Sequence, residues 1–282
     1  MFSNIMYSTI LPAVTAVCPG VHPGRDDVYN MTSSPRGVAL IINNKTFDRN
    51  PSMRFGIRRG SDQDVVKAKE LFQCLGFEVQ IKEDLAKSEF LDELYAMSRD
   101  VDHSRYDCFV LWLMSHGDKD LVYSRDGEEV LLETVRDMFS NSSCQSLKGK
   151  PKIFFIKACR GLREEFVVAD KPSPIAQKND SPCEGKEPPV YHIPDHADFL
   201  EAYSSVDGFV SYRNEDRGSF YVQVLVDVFR EHVARDHLVS LLTKVNRRVS
   251  KMQAGRVRSK GKVKQVKQMC EYTSQLTKDL YF

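Results

Sequence analysis

Cys108–Met114 reads CFVLWLM and is followed by Ser115, His116 and Gly117. An unbroken apolar run leaves no side of the chain for water, so it is expected as a strand covered on both faces, the kind found inside a parallel sheet. Working outward, residues 36–43 (RGVALIIN) and 153–156 (IFFI) have the same character, and the latter runs into Lys157, Ala158, Cys159, Arg160 and Gly161. Helical spacing fills the intervals. Ser61 with Asp64 three residues on is a capping-box-like start for Val65, Ala68, Leu71, Phe72 and Leu75, with Gly76 as the stop. Residues 77–81 read as the next strand, Ser88 opens a helix through Phe90, Leu91, Leu94 and Met97, and a third helix is expected over 131–139. This alternation of strand and helix predicts a parallel sheet with right-handed crossovers.

Downstream the pattern breaks. Residues 172–194 hold six of the chain's twelve Pro among Ser, Lys, Asp and Glu, which reads as a long exposed linker open to proteolytic nicking. Order resumes over 198–203, with a short strand expected at 209–212 and a helix opened by Ser219 (Phe220, Val224, Leu225, Val228, Phe229). A helix over 238–249 follows. Residues 251–267 carry seven Lys or Arg and no acid, read as a mobile basic loop, and 272–282 is strand-like in part.

The chain has 282 residues, 41% of them hydrophobic, enough to bury a sizeable core. Its formal charge of +1 supplies no global field for nucleic acid or anionic lipid. No apolar stretch reaches membrane-spanning length. The run over 5–21 lacks a basic start and is interrupted by Pro12 and Pro19, so it reads as a leader, not a secretory signal. Seven widely spaced Cys without a C-x-x-C pair argue against zinc or a disulfide framework and for a reducing, cytoplasmic setting.

Two of the buried strands run out into reactive side chains, His116 and Cys159. In an open parallel sheet, ligands bind beyond the carboxyl ends of the strands, so both residues are expected at one crevice. A neighbouring imidazole can take the proton of a thiol and make it a nucleophile. Gly117 lets backbone approach closely, and its N–H together with that of Cys159 could hold a developing oxyanion. A buried Cys alone is usually packing, and a lone His more often only hydrogen-bonded. It is the pair that changes the reading.

On these residues the sequence resembles the caspases. Lys157-Ala158-Cys159-Arg160-Gly161 differs at one position from the family signature Q-A-C-x-G, which follows a His upstream. Further landmarks run in order: Tyr29-Asn30-Met31, Arg36-Gly37, Arg58-Arg59-Gly60-Ser61-Asp62, Leu75-Gly76-Phe77, Gly149-Lys150-Pro151, Ala197-Asp198-Phe199-Leu200, Ser211-Tyr212-Arg213-Asn214 and the closing Leu276-Thr277-Lys278-Asp279-Leu280-Tyr281-Phe282.

The resemblance implies an α/β caspase-like sandwich, its central, mostly parallel sheet of about six strands having helices on both faces. It implies a cysteine endopeptidase that cuts after aspartate, acts in apoptosis, and is made as a zymogen. Residues 1–28 would be a short disordered prodomain like that of executioner caspases, 29–165 the large-subunit region, 166–194 the cleavable linker and 195–282 the small-subunit region. His116 would be general base and acid, Cys159 the nucleophile, and Gly117 with Cys159 the oxyanion hole. Arg58 and Arg213 would bind the P1 carboxylate with Lys157 beside them; Arg213 would also offer backbone pairing to an extended substrate, Tyr212 and Val210 would form the apolar wall of the second subsite, Ser211 would belong to the substrate-binding segment, and Asn214 and Phe220 would fall at the fourth subsite. Processing is expected after Asp180 or Asp170, with leader trimming after Asp27 or Asp26. Implied partners are protein substrates with P1 aspartate, an upstream activating caspase, caspase inhibitor proteins and a second processed copy. Neither cofactor nor metal, nucleic acid nor membrane is implied.

Two departures stand out: Lys157 where the family has Gln, and polar Thr273, Ser274 and Gln275 in the last strand, which point to a weaker dimer. The rival readings are a catalytically weak homologue that modulates other caspases, and a related peptidase of different P1 choice such as a metacaspase or legumain, which the two Arg disfavour.

Overall fold

The computed structural model describes residues 26–48, 55–161, 163–166, 193–253, 255–259 and 262–282. Six strands form the frame: β1 (Gly37–Asn43), β2 (Glu78–Glu83), β3 (Cys108–Met114), β4 (Lys152–Lys157), β5 (Phe199–Tyr203) and β6 (Glu271–Ser274). They lie in the order β6-β5-β4-β3-β1-β2. Every neighbouring pair is parallel except β5 with β6. The parallel sheet read from the apolar runs is therefore present, with the six strands, mostly parallel, that the resemblance implies.

Side chains alternate between its faces. Ala39, Ile41, Val110, Trp112, Ile153 and Phe155 pack under α1 (Ser61–Cys74), α4 (Phe220–His232) and α5 (Leu238–Lys251), through Phe72, Leu225, Phe229 and Leu242. Leu40, Leu111, Leu113, Phe154 and Ile156 meet α2 (Lys87–Tyr95) and α3 (Leu132–Met138), through Phe90, Leu94 and Val135. Two polar side chains buried in the sheet, Glu201 and Lys152, are partnered. Glu201 on β5 takes a bidentate pair from Arg136, at 2.7 and 2.9 Å, and a bond from the Tyr203 hydroxyl at 2.7 Å. Lys152 at the start of β4 donates to the Asn141 side chain at 3.1 Å and to the Lys150 carbonyl at 3.1 Å.

Several expectations are corrected. Residues 251–267 hold a hairpin of Gly255–Ser259 against Lys262–Lys267, with a third strand, Glu165–Phe166, at its foot. Reading charge alone hid the alternation of Val with Arg and Lys, which has the period of a strand. No strand covers 209–212: Phe209 makes a single bridge to Arg163, and the ladder begins at Arg213–Asn214, antiparallel to Gly218–Ser219. Ser61 is the first residue of α1, behind a Gly60 cap with φ of 78°, and Asp64 bonds to another element entirely. α2 starts at Lys87, not Ser88, with Glu89 accepting the Ala86 N–H at 2.8 Å.

The leader before residue 26 and most of the expected linker, Asp170 and Asp180 included, lie outside the described residues. Among the described residues no helix is long and apolar enough to cross a membrane.

Candidate active site

β3 and β4 are paired in register, with Met114 opposite Lys157. Cys159 and His116 each follow the end of one of these neighbouring strands, so they leave the sheet side by side. The Ser115 N–H reaches the Lys157 carbonyl at 3.3 Å. Gly117 fits into the join: a Cβ there would lie 2.7 Å from the Leu121 carbonyl oxygen, 2.8 Å from the Ala158 Cβ and 3.1 Å from the Cys159 carbonyl oxygen. Only glycine allows that approach.

His116 Nε2 lies 2.9 Å from the Gly56 carbonyl oxygen. A carbonyl only accepts, so Nε2 carries the hydrogen and a neutral ring presents Nδ1 as its base. Phe55 stacks on the imidazole at 5.0 Å between centroids and Phe47 tilts against it at 4.9 Å. Burial drives the His116 proton affinity down to about 4; the Gly56 bond opposes this, and the positive charges of Arg58, Arg213 and Lys157 add to it. At neutral pH the ring is uncharged and able to take a proton.

Arg58, Arg213 and Lys157 are all close enough for their charges to act on His116. Arg58, fully buried, donates from Nη1 to the Asn43 side chain at 3.0 Å and the Asn44 carbonyl at 2.7 Å, while its Nη2 has no partner among the described residues. Arg213 Nη1 is likewise buried and unpartnered among them. Lys157 closes β4 at 3% exposure, and no described residue forms a hydrogen bond or ion pair with its Nζ. Burial lowers the Arg58 pKa to about 9, with Arg213 as the next cause. The same two effects, burial then the paired guanidinium charges, bring Lys157 to about 7. Arg213 is also lowered, chiefly by burial. Asp64 is an anion acting in the opposite sense on all three.

The crevice wall is the segment after Gly208. Ser211 donates its N–H to Cys159 Sγ at 3.5 Å. Gln268, buried at the foot of the basic hairpin, accepts the Tyr212 N–H at 2.9 Å and donates to the Ser204 carbonyl at 2.6 Å. Asn214 turns its Oδ1 back onto the N–H groups of Asp216 and Arg217, at 3.0 and 2.9 Å, closing the turn in its own hairpin. Phe220 is half-buried at the start of α4, its N–H 3.4 Å from the Tyr212 carbonyl, and Val210 is also half-buried. Asp27 stands apart, its carbonyl accepting the Asp279 N–H at 2.8 Å.

The sequence reading missed several supporting groups. Gly56 acts through its carbonyl and offers no side-chain signal. Gln268 and the Asp64–Ser219 contact join residues far apart in the chain. Arg160, next to the nucleophile, was read only as part of a signature, yet its guanidinium lies 4.1 Å over the Tyr203 ring and pairs with Glu271 on β6.

A strand-end His and Cys at one crevice, backed by buried Arg, is a family arrangement that can be compared directly. The model of the caspase domain matches residues 36–281. The chain belongs to the caspase family. It is 38% identical to caspase-6 of Gallus gallus over 256 residues, covering 90% of this chain and 83% of that one. It is 35% identical to caspase-3 of Bos taurus over 257 residues, 91% and 88% of the two chains. To caspase-7 of Gallus gallus it is 37% identical over 257 residues, 90% and 79%. In this caspase, His116 and Cys159 follow the carboxyl ends of the paired strands β3 and β4, and the buried Lys157 closes β4.

Proposed function

We propose that this caspase is a cysteine endopeptidase that cuts peptide bonds after aspartate. The observation that carries the reading is the pair of buried guanidinium nitrogens, Arg58 Nη2 and Arg213 Nη1, left without partners beside Cys159 and His116. Leaving a buried charged donor unpaired costs about 1–3 kcal/mol or more, a cost that a bound carboxylate removes. Arginine's planar fork suits that carboxylate.

In the proposed reaction His116 Nδ1 takes the Cys159 proton as Sγ attacks the carbonyl carbon after the aspartate. The oxyanion is met by backbone N–H groups of Cys159 and Gly117. The Tyr123 N–H to His116 carbonyl bond makes that pair the hydrogen-bonded one, so the next pair, Gly117 with Val122, leaves the Gly117 N–H directed away from its hairpin. His116 then protonates the leaving amine, and water releases the acyl group from sulfur. Ser211, Tyr212 and Arg213 offer backbone to an extended substrate, with Val210 beside them and Asn214 and Phe220 further along.

We further propose that the chain is a zymogen cut after Asp180 or Asp170 into large and small subunits, acting in apoptosis within the cytoplasm. Trimming after Asp27 requires its bond to Asp279 to open first. Dimerisation would use β6, an edge strand of the sheet whose exposed Thr273 and Ser274 bury little apolar surface. The second reading, a weak homologue that modulates other caspases, is favoured by Lys157, whose charge is unfavourable in the empty pocket. Peptide reporters with Asp, Glu, Asn or Lys at P1 separate the two. Cleavage confined to Asp supports the endopeptidase, and no turnover by linker-cleaved protein supports the modulator.

A further inference from the structure

Lys157 occupies a site that physical chemistry disfavours. It is 3% exposed, lies on the sheet face that carries α1 and α4, and shares its surroundings with Arg58 and Arg213. The nearest opposing charge, Asp64, is committed to two hydrogen bonds from Ser219. A buried ammonium needs an anion within a few ångströms, and like charges around it raise the cost further. No acid in the described structure is paired with it. Every polar group meant to recognise a P1 carboxylate is in place, and one cation exceeds what the empty pocket can hold charged.

We propose that Lys157 couples substrate recognition to proton uptake: its amine, buried at the end of β4 two residues before Cys159 and without a partner among the described residues, gains a proton as the P1 carboxylate enters, giving a pocket of three cations and one anion. The inference rests on the aspartate-specific reading above. The step balances simply, since the proton comes from water or buffer onto Nζ and no covalent bond to the substrate changes. The groups acting on Lys157 are Arg213 and Arg58, which disfavour its charge, and Cys159 and Asp64, which favour it; the His116 ring nearby is uncharged near neutrality and adds no charge. Burial with the two Arg brings its pKa to about 7 in the empty pocket, so near neutrality it is poised to change state when an anion arrives. A Gln at the same position would donate a hydrogen bond at every pH. Lys157 instead makes affinity for P1 aspartate fall as pH rises from 6 to 8, while the Arg pair, still charged over that range, retains specificity for an anion.

The test uses Cys159→Ala protein, cleaved in its linker, with an uncleaved amidated peptide carrying Asp at P1. Titration calorimetry in phosphate and in Tris counts protons exchanged on binding. About 0.9 proton per peptide is expected to be taken up near pH 8 and about 0.1 near pH 6, with affinity weakening about fivefold between pH 7 and pH 8. In Lys157→Gln, added to the same background, the uptake at pH 8 is expected to vanish. Because His116 and Asp64 are present in both proteins, their contribution cancels. Lys157→Met is the second variant, should the Gln protein fail to fold. Binding of the Asp peptide to the Lys157 protein with no buffer-dependent heat near pH 8 overturns the proposal and leaves aspartate recognition standing. Equal uptake with and without Lys157 does the same. Failure of the Asp peptide to bind at any pH, with a Leu-P1 or Lys-P1 peptide bound instead, overturns both readings.

Discussion

Asp64, in the first turn of α1, holds Ser219 at the start of α4 by two hydrogen bonds: the Ser219 N–H reaches Oδ1 at 2.7 Å and the hydroxyl donates to Oδ2. Ser219 is also the ladder partner of Arg213. One carboxylate therefore fixes the hairpin that carries one pocket arginine to the helix that follows the other. Asp64→Ala leaves both Ser219 donors unmet and three cations without their counter-charge. Destabilisation of about 3 kcal/mol or more is expected, read from the urea midpoint, with Asn at this position recovering part of it. A midpoint unchanged in the Ala protein contradicts this role.

Lys157→Met should make the empty enzyme more stable. Between pH 7 and 10.5 the unfolded lysine binds a proton that the folded one does not, so wild-type stability rises with pH across that window. The full cost of burying the amine is felt below pH 7. Replacement by Met is expected to raise stability by about 2 kcal/mol or more near pH 6, with the advantage shrinking toward pH 10. A lower melting temperature for the Met protein at pH 6 would count against it.

Cys159→Ala and His116→Ala are each expected to reduce cleavage of an Asp-P1 reporter by at least about a thousandfold, with unchanged circular dichroism. Near wild-type turnover in either protein removes the dyad.

Gly117→Ala places a methyl group 2.7 Å from the Leu121 carbonyl oxygen and 2.8 Å from the Ala158 Cβ. Neither neighbour is a flexible chain end, so the strand ends must separate. A loss of about 1–3 kcal/mol in stability is expected, together with a fall in kcat larger than any rise in KM, because the join carries both dyad residues. Wild-type kcat in the folded variant would show that the spacing is not critical.

Gln268→Ala removes the bonds that fix Tyr212 and Ser204 without touching the dyad. KM for tetrapeptides is expected to rise about tenfold, while kcat changes little, and Gln268→Glu should restore only the bond accepted from Tyr212. A selective fall in kcat would argue for a different role.

The frame was legible because it rests on local, periodic signals. CFVLWLM and IFFI have no polar face, and Gly76, with φ of 82°, ends α1 where the pattern stops. The placement of His116 and Cys159 side by side was legible because each comes just past the end of such a strand. What stayed hidden depends on distant pairings or backbone groups: Gly56 reaching His116, Asp64 reaching Ser219, Gln268 supporting Tyr212. Charge concealed the hairpin at Gly255–Ser259 because seven basic residues were weighed by composition and not by their alternation with Val. Lys157 was visible as a departure, but its burial and the reach of two arginine charges to it depend on distant parts of the folded chain.

β4 and β5 are adjacent parallel strands, paired from Lys152 with Phe199 to Ile156 with Tyr203, and the stretch joining them runs the whole way through residues 158–198. Scission within that stretch would leave two polypeptides sharing a single sheet interior. Ile153 and Phe155 from one piece and Leu200 and Ala202 from the other belong to the same apolar cluster. Tyr29 from one piece bonds to Asp198 and Thr277 from the other, tying the extremities together as well. The pieces would therefore behave as an obligate pair: dilution would not part them, and either one alone would expose half a core to water.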